Sequence, residues 1–352
     1  MIAFKDGLTI GGDSPIRVNC NIGCNKIEDI QSEISKIEFI QSCNELPDMM
    51  MDLSLIELEE PLYNYIKNNL GLPFGVVLSY HRFTKSKGYQ WEDIRDAFLQ
   101  LCYDGVSFVT IHFTADLDLF LRANQIRKIP VTSRGGGMVL YDSRINNRTQ
   151  NIFRENIDEI ANIALKHNVV ISLGTTFRPG TILDACDSVH IEETLRQLSI
   201  CRLLQSKGVK VMVENIGHIT LDKIATHSKL LSKFNAPIMP LGPLPTDAAI
   251  NEDHIANAIG ATFAAYIGCA HIINCVTRYE HSKSAITQDV TIEAIRAAKV
   301  AAHIADLSRN INEANLYDTS ITINRVKEHC CFADSNNCTR CSTVCPLKLT
   351  SI

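Results

Sequence analysis

The feature that most constrains the fold is a repeated alternation of short apolar runs with longer segments of helical periodicity. The runs carry few charges on either face, which is typical of parallel strands buried on both sides. Regular alternation of such strands with helices favours a parallel sheet. The predicted strands cover residues 16–23, 49–54, 74–80, 108–113, 131–134, 169–174, 209–215 and 236–242.

Helices are predicted at 26–42, 91–103, 152–167, 189–207, 219–233, 290–308 and 323–330. Eight strand–helix units fit an α/β fold of the (β/α)8 TIM-barrel type, with a doubly wound open sheet as the alternative. A further apolar run at 271–276 is a candidate ninth strand. We expect the barrel to occupy residues 1–310, and a C-terminal helix and short tail to occupy 311–352.

Composition excludes several classes of protein. A net charge of −5 over 352 residues gives no general attraction to nucleic acid or anionic lipid. The opening sequence MIAFKDGLTIGG lacks the apolar core of a secretory signal, so we expect a cytoplasmic protein. The almost uncharged stretch 259–276 reaches the lower length limit of a membrane span, but it contains His271, Asn274 and Gly268. We expect a buried helix running into a buried strand there.

Five of the thirteen cysteines lie in the last 23 residues. Cys338, Cys341 and Cys345, followed by proline, have the spacing of the last three cysteines of the bacterial ferredoxin motif. Three thiolates on a 4Fe–4S cluster leave one iron open to a small molecule, which in radical chemistry is S-adenosylmethionine. The alternative is a closed zinc knuckle that recruits Cys330 or Cys331.

Polar residues follow nearly every predicted strand, where the catalytic groups of a barrel lie. They are Asn21, Asp52, Ser54, Tyr80, His112, the segment 133–137, the segment 175–178 and the segment 214–218. A single residue of this kind is often only a turn former, whereas seven strand ends of this kind predict a polar ligand at one rim of the barrel.

Two features of that rim indicate the ligand. Arg134 precedes three glycines, and a guanidinium beside unhindered backbone N–H groups suits a phosphate, as does Arg178. His218 and His281 follow separate strands, and two neutral imidazoles can bind zinc while leaving room for substrate. The alternatives are a flexible glycine loop and ordinary solvated histidines.

Many short motifs, in one order, resemble those of the phosphomethylpyrimidine synthase (ThiC) family. The resemblance runs from about residue 9 to 310 and resumes in the tail. It is dense between 169 and 308. The motifs are VNCNIG, MMDLS, VTIH, SRGG, SLGTTFRPGTILDA, KVMVENIGH, PLGPLPTDAAINEDHIANAIGA, GCA, VTRYEH and AAHIADL.

The resemblance implies a (β/α)8 barrel enzyme that works as a homodimer, with the tail of one subunit over the active site of the other. It implies a radical S-adenosylmethionine lyase of thiamine biosynthesis that rearranges 5-aminoimidazole ribotide to 4-amino-5-hydroxymethyl-2-methylpyrimidine phosphate, releasing carbon monoxide and formate. The cofactors would be a 4Fe–4S cluster, S-adenosylmethionine and zinc or another divalent metal. An electron donor such as flavodoxin or ferredoxin would be the protein partner.

Carried over residue by residue, the resemblance assigns roles in this sequence. Glu214 and Cys275 would be catalytic, with Glu214 orienting or deprotonating the substrate. His218 and His281 would bind the metal, and Cys338, Cys341 and Cys345 the cluster. The substrate-binding residues would be Asn21, Met51, Tyr80, His112, Ser133, Arg134, Gly135, Thr175, Thr176, Phe177, Arg178, Glu214 and Met239.

Several positions depart from the family pattern. Thr175 stands where the family has aspartate, and Met239 where it has a substrate tyrosine. The family cysteine aligns with Asn274, and Cys275 lies one position further on. The family spaces its second and third cluster cysteines by four residues rather than three, and it carries a long N-terminal extension that this sequence lacks.

These departures surround the heterocycle rather than the phosphate, and lost polar groups change recognition. We therefore predict a divergent member or paralogue that keeps radical generation and a phosphoribosyl-like ligand. The pyrimidine phosphate is the default product, and an altered product is a further hypothesis. A 5-hydroxybenzimidazole synthase-like paralogue is the alternative, since that relative uses the same substrate. A zinc-only barrel hydrolase and a non-catalytic nucleotide-binding paralogue remain as further alternatives.

Overall fold

The computed structural model describes residues 1–282, 284–326, 341, 344 and 346–349. It divides into two units, one of residues 1–305 and one that starts at Asp306. The first unit contains every strand found among the described residues. The second contains α12 (Asn312–Val326) and α13 (Pro346–Leu349).

Eight parallel strands form one nearly closed barrel, as predicted. In chain order they are β3 (Arg17–Ile22), β4 (Met49–Asp52), β5 (Phe74–Val77), β6 (Phe108–Ile111), β7 (Val170–Leu173), β8 (Val211–His218), β9 (Ile238–Leu244) and β10 (Ile272–Asn274). From β3 to β9 each strand pairs with the next, and β10 pairs with β3. The gap between β9 and β10 is bridged by the backbone N–H of His271, which donates to the carbonyl of Ile238 at 2.8 Å.

Helices cover the outside of the barrel. They are α1 (Ile30–Ser42), α2 (Leu62–Tyr65), α3 (Trp91–Asp104), α4 (Leu117–Ile126), α5 (Arg134–Ile145), α6 (Ile152–Glu155), α7 (Ile157–His167), α8 (Ser188–Ser206), α9 (Leu221–Leu231), α10 (Asp253–Tyr266) and α11 (Gln288–Ser308). Their buried apolar faces pack on the outward side chains of the strands in one continuous core.

A small hairpin of β1 (Ile2–Ala3) and β2 (Thr9–Ile10) covers the end of the barrel where the strands begin. Phe4 stacks on Phe108, the first residue of β6, with ring centroids 5.5 Å apart. Arg17, the first residue of β3, donates to the carbonyl of Thr9 at 3.0 Å. The hairpin therefore closes the end of the barrel opposite the strand termini that carry the polar residues.

The prediction of a strand at 131–134 is wrong. Ser133 is the N-cap of α5, and its hydroxyl accepts the N–H of Gly136 at 3.1 Å. An extended residue before a helix cap has the same local sequence signature as a short strand. The eighth strand is β10 instead, within the run 271–276, so the strand count of eight still holds.

Most predicted helices are confirmed within a few residues, with two differences. The predicted helix 152–167 is interrupted at Asn156, which separates α6 from α7. The predicted helix 323–330 corresponds to α12, which begins at Asn312, and residues 327–330 lie outside the described part. The apolar stretch 259–276 is the end of α10 followed by β10, as expected. No helix among the described residues is long and apolar enough to cross a membrane.

Candidate active site

The interior of the barrel changes from apolar to polar along the strands. Because side chains alternate between the two faces of a strand, every second residue points inward. An apolar cluster that includes Met51, Met212 and Met239 fills the barrel below the mouth. Both Met51 and Met239, which we predicted to bind substrate, therefore form the floor of the site.

Three side-chain amides lie above this floor, where β3 and β10 meet, and those of Asn19 and Asn274 are buried. The side-chain amide of Asn19 donates to Asn21 at 2.8 Å and to Asn274 at 2.6 Å. Asn274 in turn donates to the carbonyl of Pro240 at 2.9 Å. The Asn19 carbonyl oxygen is buried without a partner among the described residues. These side chains form an ordered polar wall that includes the predicted substrate residue Asn21.

Glu214 lies on the opposite wall, 5% exposed. One of its oxygens accepts the hydroxyls of Thr110 at 2.6 Å and Ser172 at 3.1 Å. Burial raises the pKa of Glu214, although these two bonds and the charge of Arg178 lower it. A buried carboxyl group with a raised pKa and a fixed orientation suits an acid or base in catalysis.

His112 follows β6 and is held as a neutral imidazole. Burial, with the nearby charge of Arg178, lowers its pKa to about 3. Its Nε2 lies 2.8 Å from the hydroxyl of Ser133, and its Nδ1 lies 3.4 Å from that of Ser79. Because the Ser133 oxygen already accepts the N–H of Gly136, its proton is available to His112 Nε2.

The start of α5 approaches this imidazole closely, and glycine makes the approach possible. A Cβ on Gly135 would lie 2.5 Å from both His112 and Ser79, and one on Gly136 would lie 2.5 Å from Thr176. The SRGGG segment is therefore the tightly packed N-terminus of a helix rather than a flexible loop. Unpaired N–H groups at such an end attract anions.

Positive charge is concentrated beside this helix start. The guanidinium of Arg134 lies 5.6 Å from the centre of the Tyr80 ring. Tyr80 also interacts electrostatically with Arg178 and Glu214. Exposed Glu280 interacts with both arginines and His281. The structure thus brings Tyr80, Arg134 and Arg178, which were predicted from separate strand ends, to one side of the mouth.

The loop that carries Arg178 is held by a buried carboxylate that the sequence analysis missed. Glu193 on α8 accepts the backbone N–H groups of Thr176 at 2.6 Å and Phe177 at 2.9 Å. It also accepts the hydroxyl of Thr114 at 2.8 Å. Nothing in the local sequence distinguishes this glutamate from a solvated helix residue.

Three predicted substrate residues in the same loop differ in placement. The hydroxyls of Thr175 and Thr176 are buried without a partner among the described residues. Phe177 is fully buried within the core between barrel and helices. Its placement fits a role in anchoring the loop, whereas the threonine hydroxyls remain available to a ligand or water.

The two predicted metal-binding histidines face each other at the rim. Their Nε2 atoms lie 3.2 Å apart. Each Nδ1 faces a carboxylate, Asp247 at 2.7 Å from His218 and Asp253 at 3.1 Å from His281. Burial lowers the pKa of His218, with His281 adding to the effect and Asp247 opposing it.

This donor set fits a zinc ion. Two nitrogens bound tetrahedrally at about 2.0–2.1 Å from one zinc lie roughly 3.4 Å apart. Histidine ligands of metals typically donate their second N–H to a carboxylate, as Asp247 and Asp253 allow. The two aspartates were missed because Asp247 lies in a loop and Asp253 begins α10, and neither approach can be read from the local sequence.

Cys275, the second predicted catalytic residue, faces away from the barrel interior, although it lines a cavity at the mouth. It follows Asn274, so its side chain is on the other face of the strand end. Its thiol is hydrogen-bonded to that of Cys20, and burial raises its pKa well above the usual value. The inward position belongs to Asn274.

A cavity of about 220 Å³ opens between β3, α5 and the segment after β10. Its lining includes Asn21, Arg134, Cys275 and Glu280. A larger cavity of about 660 Å³ lies on the outside of the barrel near Arg148 and contains none of the predicted site residues. The polar mouth rather than this larger outer cavity is therefore the candidate active site.

Comparison with known proteins identifies the family. The model of the radical SAM ThiC family matches residues 4–331. The chain belongs to this family. It is 34% identical to the phosphomethylpyrimidine synthase of Sulfurisphaera tokodaii over 92% of this chain and 76% of that protein. The enzymes of the same name from Pyrobaculum aerophilum and Carboxydothermus hydrogenoformans are each 32% identical over 90% of this chain and 75% of theirs.

Membership of the radical SAM ThiC family implies S-adenosylmethionine and an iron–sulfur cluster. Of the three cysteines predicted to bind the cluster, Cys341 is described, as a half-buried free thiol. Cys338 and Cys345 lie outside the described residues. The cluster assignment therefore rests on the family and on the spacing of the three thiols.

Proposed function

We propose that this chain is a radical S-adenosylmethionine lyase that rearranges 5-aminoimidazole ribotide to 4-amino-5-hydroxymethyl-2-methylpyrimidine phosphate in thiamine biosynthesis. Family membership supports the reaction class. The observation within the molecule that carries the proposal is the meeting, at one barrel mouth, of two arginines, a buried glutamate and two facing histidines. That set matches a ligand with an anionic end and a nitrogen-rich end.

The anionic end is assigned to the side formed by α5 and the 174–178 loop. Arg134 and Arg178 can each donate paired N–H groups to phosphate oxygens. The start of α5 adds its partial positive charge in the same place. Glu193 contributes by fixing the loop that carries Arg178, although it does not reach the ligand itself.

The heterocycle is assigned to the deeper, polar interior. Glu214 would exchange a proton with a ring nitrogen or amino group, since its carboxyl is buried and already oriented by Thr110 and Ser172. Neutral His112 and the amide of Asn21 would orient the ring. The methionine floor excludes water from beneath it.

Cys338, Cys341 and Cys345 would hold the cluster, and His218 and His281 the zinc. When bound, the cluster with S-adenosylmethionine supplies the one-electron chemistry that starts hydrogen abstraction from the substrate. We further propose that the chain works as a homodimer and receives electrons from a flavodoxin or ferredoxin.

The test is an anaerobic incubation of cluster-reconstituted protein with S-adenosylmethionine, a strong reductant and 5-aminoimidazole ribotide, followed by mass spectrometry. We expect substrate-dependent 5′-deoxyadenosine together with the pyrimidine phosphate. Arg178→Ala should abolish most of the substrate-dependent formation of 5′-deoxyadenosine, because one of the two arginines that would bind the phosphate is lost. Protein with an intact cluster that forms no deoxyadenosine would refute the proposal and favour a non-catalytic, ligand-binding paralogue. Protein that binds zinc but no iron or sulfide would favour a hydrolase.

A second product remains a specific candidate because of two residues. Met239 is fully buried in the apolar floor at the position of the family tyrosine, so the floor offers no hydroxyl there. Thr175 replaces a family carboxylate with a buried hydroxyl. Loss of polar partners around the ring favours an altered product such as 5-hydroxybenzimidazole. The mass of the second product in the same incubation distinguishes the two.

A further inference from the structure

A second cluster of metal-binding side chains lies outside the barrel mouth. Cys186 precedes α8, His190 is in its first turn, and His227 is on α9. One potential ligand atom from each lies within 4.8 Å of the other two. The imidazoles stack with centroids 4.1 Å apart and planes inclined by 25°. None of these residues has a role in the proposed reaction.

The hydrogen-bond network determines which nitrogen of each imidazole carries the proton. Gln197 donates from Nε2 to the backbone carbonyls of Leu173 at 3.1 Å and Glu214 at 2.9 Å. Its side-chain oxygen is therefore the acceptor for the amide of Asn215, at 2.9 Å. The orientation of Asn215 follows, because its Nδ2 must face Gln197 and its Oδ1 must point the other way.

Both imidazoles face this Asn215 oxygen. It lies 3.3 Å from His190 Nε2 and 3.0 Å from His227 Nε2. An oxygen only accepts, so both Nε2 atoms must carry hydrogen, and each neutral ring then has its lone pair on Nδ1. The Cys186 backbone N–H points to His190 Nδ1 at 3.3 Å, which agrees with this assignment.

Burial keeps both rings neutral. It is the largest cause lowering the pKa of His227 to about 4 and that of His190 well below its usual value. Each ring therefore keeps one nitrogen without hydrogen, and one possible ligand atom from each ring lies within 4.8 Å of the Cys186 sulfur. A histidine that donates its second N–H to a fixed oxygen is the usual arrangement around a bound metal.

We propose that Cys186, His190 and His227 form a second zinc site, with the sulfur and the two Nδ1 atoms as its ligands. Imidazole and thiolate are the donors that zinc prefers. On binding, the Cys186 thiol loses its proton to solvent and a sulfur–zinc bond forms. His190 Nδ1 gives up the 3.3 Å hydrogen bond that it accepts from the Cys186 N–H, and its lone pair binds the ion instead. Cys186 is half-buried, which gives the ion a path from solvent.

The site would brace the strand that carries the catalytic machinery. Asn215 directly follows Glu214, and its oxygen also accepts the N–H of Ile216 at 2.7 Å. Ile216 and Gly217 then adopt positive φ angles of 67° and 117°, which turn the chain toward His218. Metal binding between α8 and α9 would thus stiffen the backbone at Ile216 and Gly217.

The test uses cobalt(II) as a spectroscopic substitute for zinc. To remove competing thiolates, we define the Ser-tail protein as the full-length chain in which Cys330, Cys331, Cys338, Cys341 and Cys345 are serine. Anaerobic titration of metal-free Ser-tail protein should produce a thiolate-to-cobalt charge-transfer band. Barrel-mouth histidines cannot produce that band, since they supply no sulfur.

Cys186→Ser should abolish the band, and His227→Gln should weaken cobalt binding at least about tenfold. Cys43→Ser, a matched change at another half-buried cysteine, should leave the band intact. A band that survives Cys186→Ser, or no band in the Ser-tail protein, would refute the site. Circular dichroism and the Tm of each metal-free variant check that it is folded.

A second measurement needs no substitution. Zinc added to the metal-free natural chain should slow alkylation of Cys186 by iodoacetamide about tenfold or more, because only a free thiolate reacts rapidly. The alkylated peptides are quantified by mass spectrometry, with Cys43 as the internal control. Equal slowing at both cysteines, or none at Cys186, would refute the proposal whatever the outcome of the activity assay.

Discussion

At the scale of single residues, buried carboxyl groups organise the mouth of the barrel. Glu214 faces the cavity and Glu193 holds the loop beside it. Both have raised pKa values because burial penalises their charge more than their hydrogen bonds favour it. A carboxyl group of this kind makes the free energy of unfolding depend on pH. The direction follows from how many protons the group binds in the folded and in the unfolded state.

Glu193 gives the clearest case, because its pKa in the folded chain is about 7 against an ordinary value of 4.5. Between these values the native state binds more protons than the unfolded state, so this contribution to stability falls as pH rises through that window. The difference in unfolding free energy between wild type and Glu193→Gln should therefore shrink from pH 5 to pH 8 by on the order of 3 kcal/mol. Urea denaturation at the two pH values measures it.

The matched control is Glu192→Gln, one residue earlier on α8. Its side chain is 37% exposed and pairs with Arg196 at the surface. Exposed pairs contribute about 0–1 kcal/mol, so this variant should track wild type at both pH values. An equal loss for Glu193→Gln at pH 5 and pH 8 would contradict the assignment of a raised pKa to Glu193.

Asp253 gives a prediction about the barrel-mouth metal. Asp253→Asn removes the charge that orients His281 and should weaken zinc binding there by about 10- to 100-fold. The measurement is competition with a chromophoric chelator in Ser-tail protein that also carries Cys186→Ser. Asp222→Asn, an exposed aspartate in the first turn of α9, is the control and should not change the affinity. Unchanged affinity in Asp253→Asn would argue against His281 as a ligand.

At the scale of elements, the glycines of α5 are not equivalent. Gly135→Ala would place a Cβ 2.5 Å from His112 and Ser79, both on rigid strand ends. We expect it to cost roughly 1–3 kcal/mol of stability and to raise KM by displacing the helix start. Gly137 has no atom within 4 Å of the corresponding position, so Gly137→Ala should stabilise the helix by about 0.5–1 kcal/mol.

Thermal unfolding and steady-state kinetics of these two variants separate packing from flexibility. If the three glycines serve only to keep the segment mobile, both alanine variants should have similar effects on KM. Opposite changes in stability, with KM altered in Gly135→Ala alone, would support the close approach of the helix to His112.

The same helix shows where prediction of the fold from the sequence reaches its limit. Strand–helix alternation predicted the barrel because buried parallel strands have a strong local signature. The segment 131–134 was misassigned because three consecutive glycines have low helix propensity, and only contacts with distant His112 and Thr176 make a helix fit there. The run 259–276 was correctly predicted as a helix followed by a strand, but that strand was counted as a possible ninth because the prediction included 131–134 among the eight.

Prediction of the site has a similar limit. Residues at strand ends could be assigned because parallel strands terminate at one rim, which brings Tyr80, His112 and Glu214 together. Their partners could not, since Glu193, Asp247 and Asp253 approach from helices and loops distant in sequence. Whether Cys275 or Asn274 points into the barrel depends on the alignment by a single residue, because neighbouring side chains of a strand lie on opposite faces.

At the scale of the whole molecule, the barrel separates stability from function along its axis. The polar residues of the mouth lie at one end, and the hairpin of β1 and β2 closes the other. Besides the stacking of Phe4 on Phe108, Lys210 donates to the carbonyl of Ala3 at 2.8 Å, just before β8. Changes at the two ends should therefore have distinguishable effects.

Phe4→Ala should lower the unfolding free energy by about 3–5 kcal/mol, since Phe4 is only 3% exposed and its removal opens a void beneath Phe108. At a temperature where the variant remains folded, KM for the ribotide should match that of wild type, because the floor of methionines lies between the hairpin and the ligand. Arg178→Lys should do the reverse, raising KM while leaving the denaturation midpoint nearly unchanged. Phe4→Leu, which keeps most of the buried volume, should fall between wild type and Phe4→Ala in stability. A raised KM in folded Phe4→Ala would mean that packing at the closed end reaches the mouth through the barrel interior, and that the two ends are coupled.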